Sequence, residues 1–395
     1  MKEGWEYKTF KDQFSINMGK TPPRGDSSSW DKSKITTNKW VSIADISLNE
    51  GKIIFDTKEY ISDKAAEKIK KVKAGSLLMS FKLTIGKMAF AGDDLFTNEA
   101  IIAIPQNEDY DLHFLYYYLL QYDWRTLTEG NEKVKGATLN KQSIGKILLP
   151  IIPIDEQRRI VSYLDSSFKL IDEIKNKALK SLTEAKALFQ SALAEAMEPK
   201  EGWEEKTLGD ICFIARGGSP RPIKNFLTED ESGIPWIKIG DTEIGGKFIN
   251  CTKEKIKKEG IKSSRFVRKG DFLLSNSMSF GRPYILKTDG CIHDGWLVLQ
   301  NFKDTFIDDF LYYLLSCNYV QKQFDEYAYG STVRNLKTDS VSRVSVNYPP
   351  LPTQKQIVSH LDKLSSKVRA IEEKYQKMVE ECDALKQAML RDVFE

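Results

Sequence analysis

The sequence lacks the features that mark membrane-spanning, secreted and strongly charged proteins. No apolar run reaches the length of about 18 residues that a transmembrane helix needs. The stretch from Met1 to Glu6 has no apolar core of the kind found in signal peptides, so we expect a cytoplasmic protein. The net charge is only +3, and any nucleic-acid footprint must therefore be a local cluster of cations.

Cysteine and histidine are also scarce. The five cysteines are odd in number, widely spaced and never form a Cys-x-x-Cys pair, so neither a disulfide framework nor a zinc site is indicated. We expect free thiols in a reducing compartment. The three histidines, His113, His293 and His360, are far apart in the chain, which argues against hydrolytic catalysis built on histidine.

Two short strings look like catalytic motifs without matching them. Methyl transfer to an amino group would need an Asn/Asp/Ser-Pro-Pro-aromatic motif, and residues 347–350 (NYPP) have these letters in the wrong order. Residues 19–21 (GKT) look like the end of a phosphate-binding loop, but the glycine that would open it falls on Phe14. A metal site built from carboxylates stays open, because aspartate and glutamate occur throughout. We predict a chain with no catalytic residues, no metal site and no cofactor.

The chain is one unit of about 197 residues written twice. Residues 3–10 (EGWEYKTF) recur at 201–208 (EGWEEKTL), and 114–117 (FLYY) recur at 310–313 (FLYY). Further pairs keep the same order, with offsets between 194 and 198 residues. Such self-similarity indicates a duplicated structural unit.

Each copy begins with a mixed part and ends with a long helix. Short apolar runs such as 51–55 and 344–346 predict strands, and 114–120 predicts a helix packed by its aromatic side chains. Neither 157–197 nor 354–395 contains glycine or proline. Each is therefore predicted to form one helix with a length of up to about 60 Å.

Apolar side chains recur in alternating steps of four and three residues along both predicted helices, a heptad pattern typical of a coiled coil. We expect the helices to pair with each other, because the first has small residues where the second has large ones; pairing with a partner's helix is the alternative. Antiparallel pairing would place the two mixed parts at opposite ends and create an approximate two-fold axis. The predicted seam residues are Ile160, Leu164, Ile171, Ile174, Leu188, Ile357, Leu361, Leu364, Val368, Ile371, Met378 and Leu385.

Three short motifs recur in both copies. They are Gly-Trp-x-x-Lys-Thr at 4–9 and 202–207, Gly136-Ala137-Thr138 with Gly330-Ser331-Thr332, and a proline-rich entry to each helix at 150–160 and 349–357. Their order, their duplication and the heptad helices together resemble the specificity subunits of type I restriction–modification systems, over the whole chain. The second copy departs slightly, with Thr353 where the first has Glu156, which we expect to alter only the helix cap.

The resemblance implies an α+β fold. Two similar mixed α/β target-recognition domains would be separated by two long antiparallel coiled-coil helices, as a pseudo-two-fold tandem repeat. The implied parts are target-recognition domain 1 at 1–153, spacer helix 1 at 154–198, target-recognition domain 2 at 199–350 and spacer helix 2 at 351–395.

The resemblance also implies a function and partners. Each domain would read one half of a bipartite site in double-stranded DNA, and the helices would set the unread gap. Two methyltransferase subunits, which methylate adenine with S-adenosylmethionine, are the implied partners. Two restriction subunits, which translocate and cut DNA with ATP, form an optional further pair. The chain itself would be a non-catalytic subunit.

Three loops of each copy combine glycine, hydroxyl groups and cations, which suit phosphate clamping and base-edge contacts. The loops are 19–24 with 217–222, 80–87 with 276–282, and 133–141 with 329–335. The candidate DNA-binding residues are Lys20, Thr21, Arg24, Lys82, Thr84, Lys87, Lys135, Thr138, Asn140 and Lys141 in the first copy, and Ser219, Arg221, Asn276, Ser279, Arg282, Ser331, Thr332, Arg334 and Asn335 in the second. A solvated turn is the alternative for each. The basic runs 64–73 and 253–269 are less persuasive, and the first is better explained as a solvated helix face.

The matched loops differ between the copies. The differing pairs are Lys20 with Gly218, Lys82 with Ser277, and Asn98 with His293. We therefore predict an asymmetric target. A coiled-coil scaffold with two protein-binding heads is the main alternative, and salt-dependent retention on DNA would separate the two. A single-chain DNA enzyme is a third, against which the missing motifs argue.

Overall fold

The computed structural model describes residues 2–127, 135–243, 245–277, 280–328 and 335–395, with the side chains of 135–138 excepted. The chain divides into two compact units. Unit 1 comprises Met1–Lys177 and Met378–Glu395, and unit 2 comprises Ala178–Lys377. Each unit therefore combines one mixed part with segments of both long helices.

Unit 1 contains many short strands and few short helices. The strands are β1 (Glu6–Thr9), β2 (Asn17–Met18), β3 (Lys39–Val41), β4 (Ile53–Ile54), β5 (Glu59–Tyr60), β6 (Leu77–Ser80), β7 (Lys82–Thr84), β8 (Met88–Ala91), β9 (Phe96–Thr97), β10 (Ile101–Ile104), β11 (Lys135–Thr138) and β12 (Leu148–Ile151). The helices are α1 (Phe10–Gln13), α2 (Ile43–Leu48), α3 (Asp63–Ala66), α4 (Leu112–Leu120) and α5 (Lys141–Gly145), with 3-10 turns at Ser27–Ser29 and Trp124–Leu127. The long helix α6 (Ile154–Ala196) follows.

The main sheet of unit 1 has the strand order β2-β10-β6-β8-β4. Strands β6, β8 and β10 are buried along their whole length, because both faces of the sheet are covered; this explains their continuous apolar sequences. One face packs against α4 through Phe114 and Leu115, and the core there extends to Ile160 and Leu164 of α6. Smaller sheets pair β1 with β12, β7 with β11, and β3 with β5 and β9.

Unit 2 is built in the same way. Its strands are β13 (Glu204–Thr207), β14 (Phe213–Arg216), β15 (Leu227–Thr228), β16 (Ile234–Ile237), β17 (Phe248–Ile249), β18 (Glu254–Ile256), β19 (Arg265–Val267), β20 (Phe272–Ser275), β21 (Pro283–Leu286), β22 (Gly290–Ile292), β23 (Trp296–Gln300) and β24 (Ser345–Tyr348). Its helices are α7 (Leu208–Ile211), α8 (Asp308–Ser316), α9 (Asn318–Ala328), α10 (Thr338–Ser342) and the long α11 (Leu351–Phe394), with 3-10 turns at Ile223–Asn225, Ile239–Asp241 and Lys258–Ser263.

The sequence repeat is a structural repeat. The main sheet of unit 2 has the order β14-β23-β20-β21-β17, which reproduces the order of the main sheet of unit 1 strand by strand. A second sheet has the order β15-β18-β16-β22-β19, and β13 pairs with β24. The strands predicted in 51–55 and 344–346 and the helix predicted in 114–120 are confirmed. The prediction of a helix over 64–73 is wrong beyond Ala66, because α3 ends there. Ile69 and Val72 are nevertheless buried.

The two long helices run antiparallel in each unit. In unit 1, Lys175 pairs with Asp383 and Asp172 pairs with Lys386, each at 2.6 Å, so ascending positions in α6 face descending positions in α11. In unit 2, Leu193 of α6 shares a core with Leu361 of α11, which likewise joins the end of one helix to the beginning of the other. The predicted α+β fold with a pair of long antiparallel helices is confirmed.

The predicted seam is partly wrong. Ile160, Leu164, Ile171, Leu361 and Val368 are buried, while Ile357, Leu364 and Met378 are half-buried. However, Ile174, Leu188, Ile371 and Leu385 are 49%, 60%, 41% and 51% exposed.

At every second position of the predicted seam, the residue that packs between the helices is the next one along the chain. In α6 it runs through the half-buried Phe168, Lys175, Leu182 and Phe189. Lys175 and Lys386 occupy such positions, with side chains that are only 28% and 21% exposed. Their methylene groups cover apolar surface while their ammonium groups reach carboxylates of the facing helix, so an apolar residue is not needed there.

A buried glutamine fastens the start of each long helix to its mixed part. Gln157 is 1% exposed, accepts a hydrogen bond from the Asp111 N–H and donates to the Asp109 and Ile152 carbonyls, all at 2.9 Å. Gln354 is fully buried and makes the same three kinds of contact, with the Ile307 N–H and the Thr305 and Pro349 carbonyls. The side-chain oxygen and nitrogen of each buried glutamine are therefore both hydrogen-bonded.

Candidate nucleic-acid interface

The three candidate loops of unit 1 converge. The Thr21 hydroxyl donates to the Glu99 carboxylate, and the positive charge of Lys82 acts on the same carboxylate. Lys82 begins β7, which pairs antiparallel with β11, so that Lys82 faces Thr138. Residues far apart in the sequence are therefore brought to one surface by Glu99 and by this strand pair.

The corresponding loops of unit 2 converge around Asp294. Its carboxylate accepts a hydrogen bond from the Ser219 hydroxyl at 2.9 Å and faces the Arg221 guanidinium at 3.4 Å. Its backbone carbonyl accepts from the Asn276 side-chain amide at 2.9 Å. An isolated bridge between Ser277 and Asn335 brings the third loop to the second.

The first loop packs closely on the end of a strand in both units. A Cβ atom on Gly19 would lie 2.0 Å from the Thr97 carbonyl oxygen, and one on Gly217 would lie 2.2 Å from the His293 carbonyl oxygen. Any side chain would therefore push the loop away from the sheet. These glycines are explained by contacts inside each unit rather than by approach of the backbone to a ligand.

Several candidate residues have structural partners. The guanidinium of Arg24 lies 4.2 Å from the Trp30 ring centroid and 2.5 Å from the Glu59 carboxylate. The Lys87 ammonium pairs with Glu50. Asn140 caps α5 by accepting the Ser143 N–H at 2.8 Å.

Other candidates are placed with fewer contacts. Lys20, Lys141 and Arg282 are exposed. The Thr84 hydroxyl oxygen is buried and has no hydrogen-bond partner within the described part of the chain. The side chains of Lys135 and Thr138, and all of Ser279, Ser331, Thr332 and Arg334, lie outside the described residues.

Two carboxylates and two arginines at these surfaces were not among the predicted residues. Glu99 and Asp294 occupy matched positions, as do the Thr21 and Ser219 hydroxyls that bind them. Comparison of the two copies would have found this pair, since it directly follows the Asn98 and His293 pair. Arg216 and Arg265 lie beside the first loop of unit 2: Arg216 donates to the Asp294 carbonyl and Arg265 to the Arg216 carbonyl, both at 2.9 Å.

Both carboxylates are held ionised by their surroundings. The hydrogen bond from Thr21 and the charge of Lys82 lower the pKa of Glu99, against the effect of burial. Burial raises the pKa of Asp294, but the Ser219 hydrogen bond and the charges of His293 and Arg216 outweigh it, so that this pKa is lowered as well. Each candidate surface thus carries a fixed negative charge among its cations.

The difference between Asn98 and His293 has a structural explanation. The Asn98 side-chain oxygen accepts the Ala100 N–H at 2.9 Å, and the His293 Nδ1 accepts the Gly295 N–H at 2.6 Å. Both side chains therefore close the same turn two residues ahead. This pair gives no support to the expected difference in base contacts.

In chemical terms, the surfaces offer hydroxyl and amide donors beside ammonium and guanidinium groups, a combination that suits contacts with phosphates and base edges. Within the residues that the structure describes, no group of three or more His, Cys, Asp and Glu side chains is arranged to hold a metal ion. No helix in the same residues is both long and apolar enough to cross a membrane.

Comparisons with known proteins agree with the repeat. The family model for the type I restriction modification DNA specificity domain matches twice, at residues 2–184 and 200–381. A putative type I restriction enzyme specificity subunit of Haemophilus influenzae is 27% identical over 283 residues, which cover 70% of this chain and 70% of that protein. A putative specificity subunit of the type I restriction enzyme MjaX of Methanocaldococcus jannaschii is 24% identical over 339 residues, covering 80% of this chain and 77% of that protein.

Solved structures share the fold. A chain from a type I R-M system, in a structure concerned with complex assembly and conformational transition, superposes with a TM-score of 0.80 at 20% identity, covering 100% of this chain and 98% of that chain. The HsdS subunit from Thermoanaerobacter tengcongensis superposes with a TM-score of 0.56 at 20% identity, covering 100% of this chain and 97% of that chain.

Proposed function

Because the chain belongs to the type I restriction modification DNA specificity domain family, we propose that it recognises an asymmetric bipartite DNA site and directs partner subunits to it. In this proposal the partners are two methyltransferase subunits that modify adenine, and two restriction subunits where these are present. The chain supplies sequence recognition and no catalysis of its own. It acts in the cytoplasm, which its free thiols suit.

The observation that carries the proposal is the convergence of loops in each unit. In unit 1, Thr21 donates a hydrogen bond to Glu99, and the charge of Lys82 lowers the pKa of the same carboxyl, while Ser219, Arg221 and Asn276 meet at Asp294 in unit 2. A protein-binding scaffold has no need for cations, hydroxyls and amides gathered at the same place in both copies. A DNA-binding protein needs such groups, because phosphate contacts position it and polar contacts with base edges select the sequence.

Differences between the units support an asymmetric target. Unit 2 carries Arg216 and Arg221 beside Asp294, whereas in the described part of unit 1 a lysine, Lys82, acts on Glu99. Arginine presents a planar fork of donors and lysine a point charge, so the two surfaces favour different contacts with DNA. Residues 1–153 and 199–350 would then be two target-recognition domains with different half-sites, joined by spacer helices at 154–198 and 351–395.

Exposed apolar side chains on the long helices support binding of partner subunits. They are Tyr163, Leu170, Ile174, Leu179, Leu188, Ile371 and Leu385, which are between 41% and 61% exposed. Large apolar side chains that project from a helix into solvent are typical of surfaces covered by another protein.

Methylation mapping tests the proposal. The chain is expressed with and without a candidate methyltransferase subunit from the same genome, and methylated adenines are located by long-read sequencing. We expect a split motif only when both chains are present. Absence of a motif, together with failure of the chains to co-purify, would favour the protein-binding scaffold. Methylation by the purified chain alone would instead indicate an enzyme.

Replacement of the second domain tests the asymmetry. A chain in which residues 199–350 are replaced by a copy of 1–153 should direct methylation to a palindromic split site. An unchanged motif would show that the second domain does not read DNA.

A further inference from the structure

We propose that Glu99 and Asp294 set how strictly each unit discriminates between DNA sequences, by opposing the attraction of the neighbouring cations for any phosphate. The inference rests on the proposed function, because it assigns a role to residues of the same surfaces. It concerns two acidic side chains that lie beside the candidate phosphate-binding cations.

In unit 2 the carboxylate of Asp294 is tied in place. It accepts the Ser219 hydroxyl at 2.9 Å and lies 3.4 Å from Arg221, while 42% of the side chain remains exposed. Its carbonyl binds the Arg216 guanidinium and the Asn276 amide, both at 2.9 Å. The negative charge therefore lies among the groups that would contact DNA, and Ser219 and Arg221 hold it there.

In unit 1 the same place is taken by Glu99. The Thr21 hydroxyl binds its carboxylate, and Lys82 is near enough for its charge to act on it. Glu99 is exposed, so its charge faces solvent and any bound molecule. The same pair of a hydroxyl and a carboxylate occurs in both units. The arrangement is therefore a general feature of the repeated unit and is not specific to one half-site.

The effect follows from the two kinds of DNA contact. Attraction between cations and phosphates is the same for every sequence and provides most of non-specific binding. A fixed negative charge beside those cations weakens this attraction for all sequences, and only the contacts made with a correct half-site offset the loss. Specificity improves in this way when an interface penalises the wrong partner more than the right one.

Neutral variants of nearly the same shape test the inference. The full chain carrying Glu99→Gln or Asp294→Asn is purified with its methyltransferase partner. Binding is measured to a duplex with the mapped site and to duplexes with one half-site scrambled. Glu156→Gln is the control, since it removes the same charge where Glu156 pairs with Arg159 at the start of α6. The thermal unfolding midpoint of each variant reports whether the unit remains folded.

We expect each neutral variant to bind the scrambled duplexes more tightly than wild type, by about two- to fivefold at moderate salt. Discrimination should fall by the same factor of about two to five, because contacts with the correct half-site leave binding to the matched duplex unchanged. Glu99→Gln should relax only one half of the mapped site and Asp294→Asn only the other. The Glu156→Gln control should leave discrimination unchanged.

Two results would overturn the inference. Equal weakening of binding to matched and scrambled duplexes would show that the carboxylates only hold the loops together. Unchanged binding in both variants would show that they have no part in recognition. If one variant unfolds, the other still gives the test, because the two residues lie in different units. Absence of salt-dependent DNA binding by the wild-type complex would instead refute the proposed function.

Discussion

The phenol of Tyr117 in α4 donates a hydrogen bond to the carboxylate of Asp165 in α6, at 2.5 Å. Unit 2 repeats this contact between Tyr313 in α8 and Asp362 in α11, at 2.6 Å. In each unit, a helix of the mixed part is thus joined to a long helix. Burial, and then the hydrogen bond to Asp165, raise the pKa of Tyr117, which keeps the phenol protonated as a donor.

Removal of this hydroxyl should weaken unit 1. Tyr117→Phe retains the ring and loses a hydrogen bond to a charged group, at a cost of about 1–2 kcal/mol in the free energy of unfolding. Tyr313→Phe should cost less, because Lys247 still contacts Asp362 at 3.5 Å. Urea denaturation of both variants measures the difference. Equal losses would show that Lys247 does not compensate.

The buried glutamines at the helix starts should be more sensitive than exposed ones. Gln157→Ala and Gln354→Ala each leave a buried backbone N–H without its partner and open a cavity, for a loss of about 2–4 kcal/mol. Gln142 and Gln356 are exposed residues of the same type, so alanine there should change stability by less than about 0.5 kcal/mol. Thermal unfolding of the four variants gives the comparison, and similar midpoints for all four would contradict it.

The seam assignment can be tested with two isoleucines of α6. Ile171 is 6% exposed and Ile174 is 49% exposed. Ile171→Ala should lower the free energy of unfolding by about 2–4 kcal/mol, and Ile174→Ala by less than about 1 kcal/mol. Chemical denaturation followed by circular dichroism measures both. Similar losses at both positions would favour the seam that the simple heptad count predicts, because that seam contains both residues.

His293 should make unit 2 sensitive to acid. Burial, helped by the charge of Lys238, lowers the pKa of His293 below its usual 6.5, although the carboxylates of Asp294 and Asp241 oppose this shift. The unfolded chain therefore binds a proton before the folded one does. The stabilisation is complete above pH 6.5 and is lost as the pH falls from there toward the folded pKa.

His293→Asn should remove this sensitivity and keep the turn, since Asn98 closes the matching turn in unit 1. Hydrogen exchange in β16 and β22 at pH 8 and pH 5.5, corrected for intrinsic rates, provides the measurement. Unit 1 should respond in the opposite sense, because a hydrogen bond to Asp111 raises the pKa of His113. Equal acid sensitivity of wild type and His293→Asn would assign the effect to another group.

Arg24 and Lys20 should differ although they share a loop. Arg24 packs against Trp30 and Trp40, at 4.2 Å and 4.8 Å from their ring centroids, so Arg24→Ala should cost about 1–2 kcal/mol of stability and change tryptophan fluorescence. Lys20 is exposed, and Lys20→Ala should leave stability unchanged while reducing the slope of log affinity against log salt by about one. An unchanged slope would remove Lys20 from the phosphate contacts.

The duplication, the mixed part of each copy and the two long helices could all be predicted from the amino-acid sequence. These features depend on local patterns: repeated motifs at a constant offset, short apolar runs, and the absence of glycine and proline from 157–197 and 354–395. Such patterns can be recognised without knowing what each residue contacts. The loops around Gly19 and Gly217 could be identified from such patterns. The close contacts that require glycine at these two positions could not be predicted.

Which residues of those patterns contact each other depends on the three-dimensional packing of the chain. Lys175 takes the place of Ile174 in the seam because its ammonium group pairs with Asp383 on the other helix. The heptad pattern of one helix cannot predict a partner that lies on another. Arg24 stays on the surface but lies over the Trp30 and Trp40 rings and pairs with Glu59. Glu99 and Asp294 become central because chain segments more than 70 residues apart meet there. These contacts join residues that are far apart in the sequence, so local sequence patterns cannot predict them.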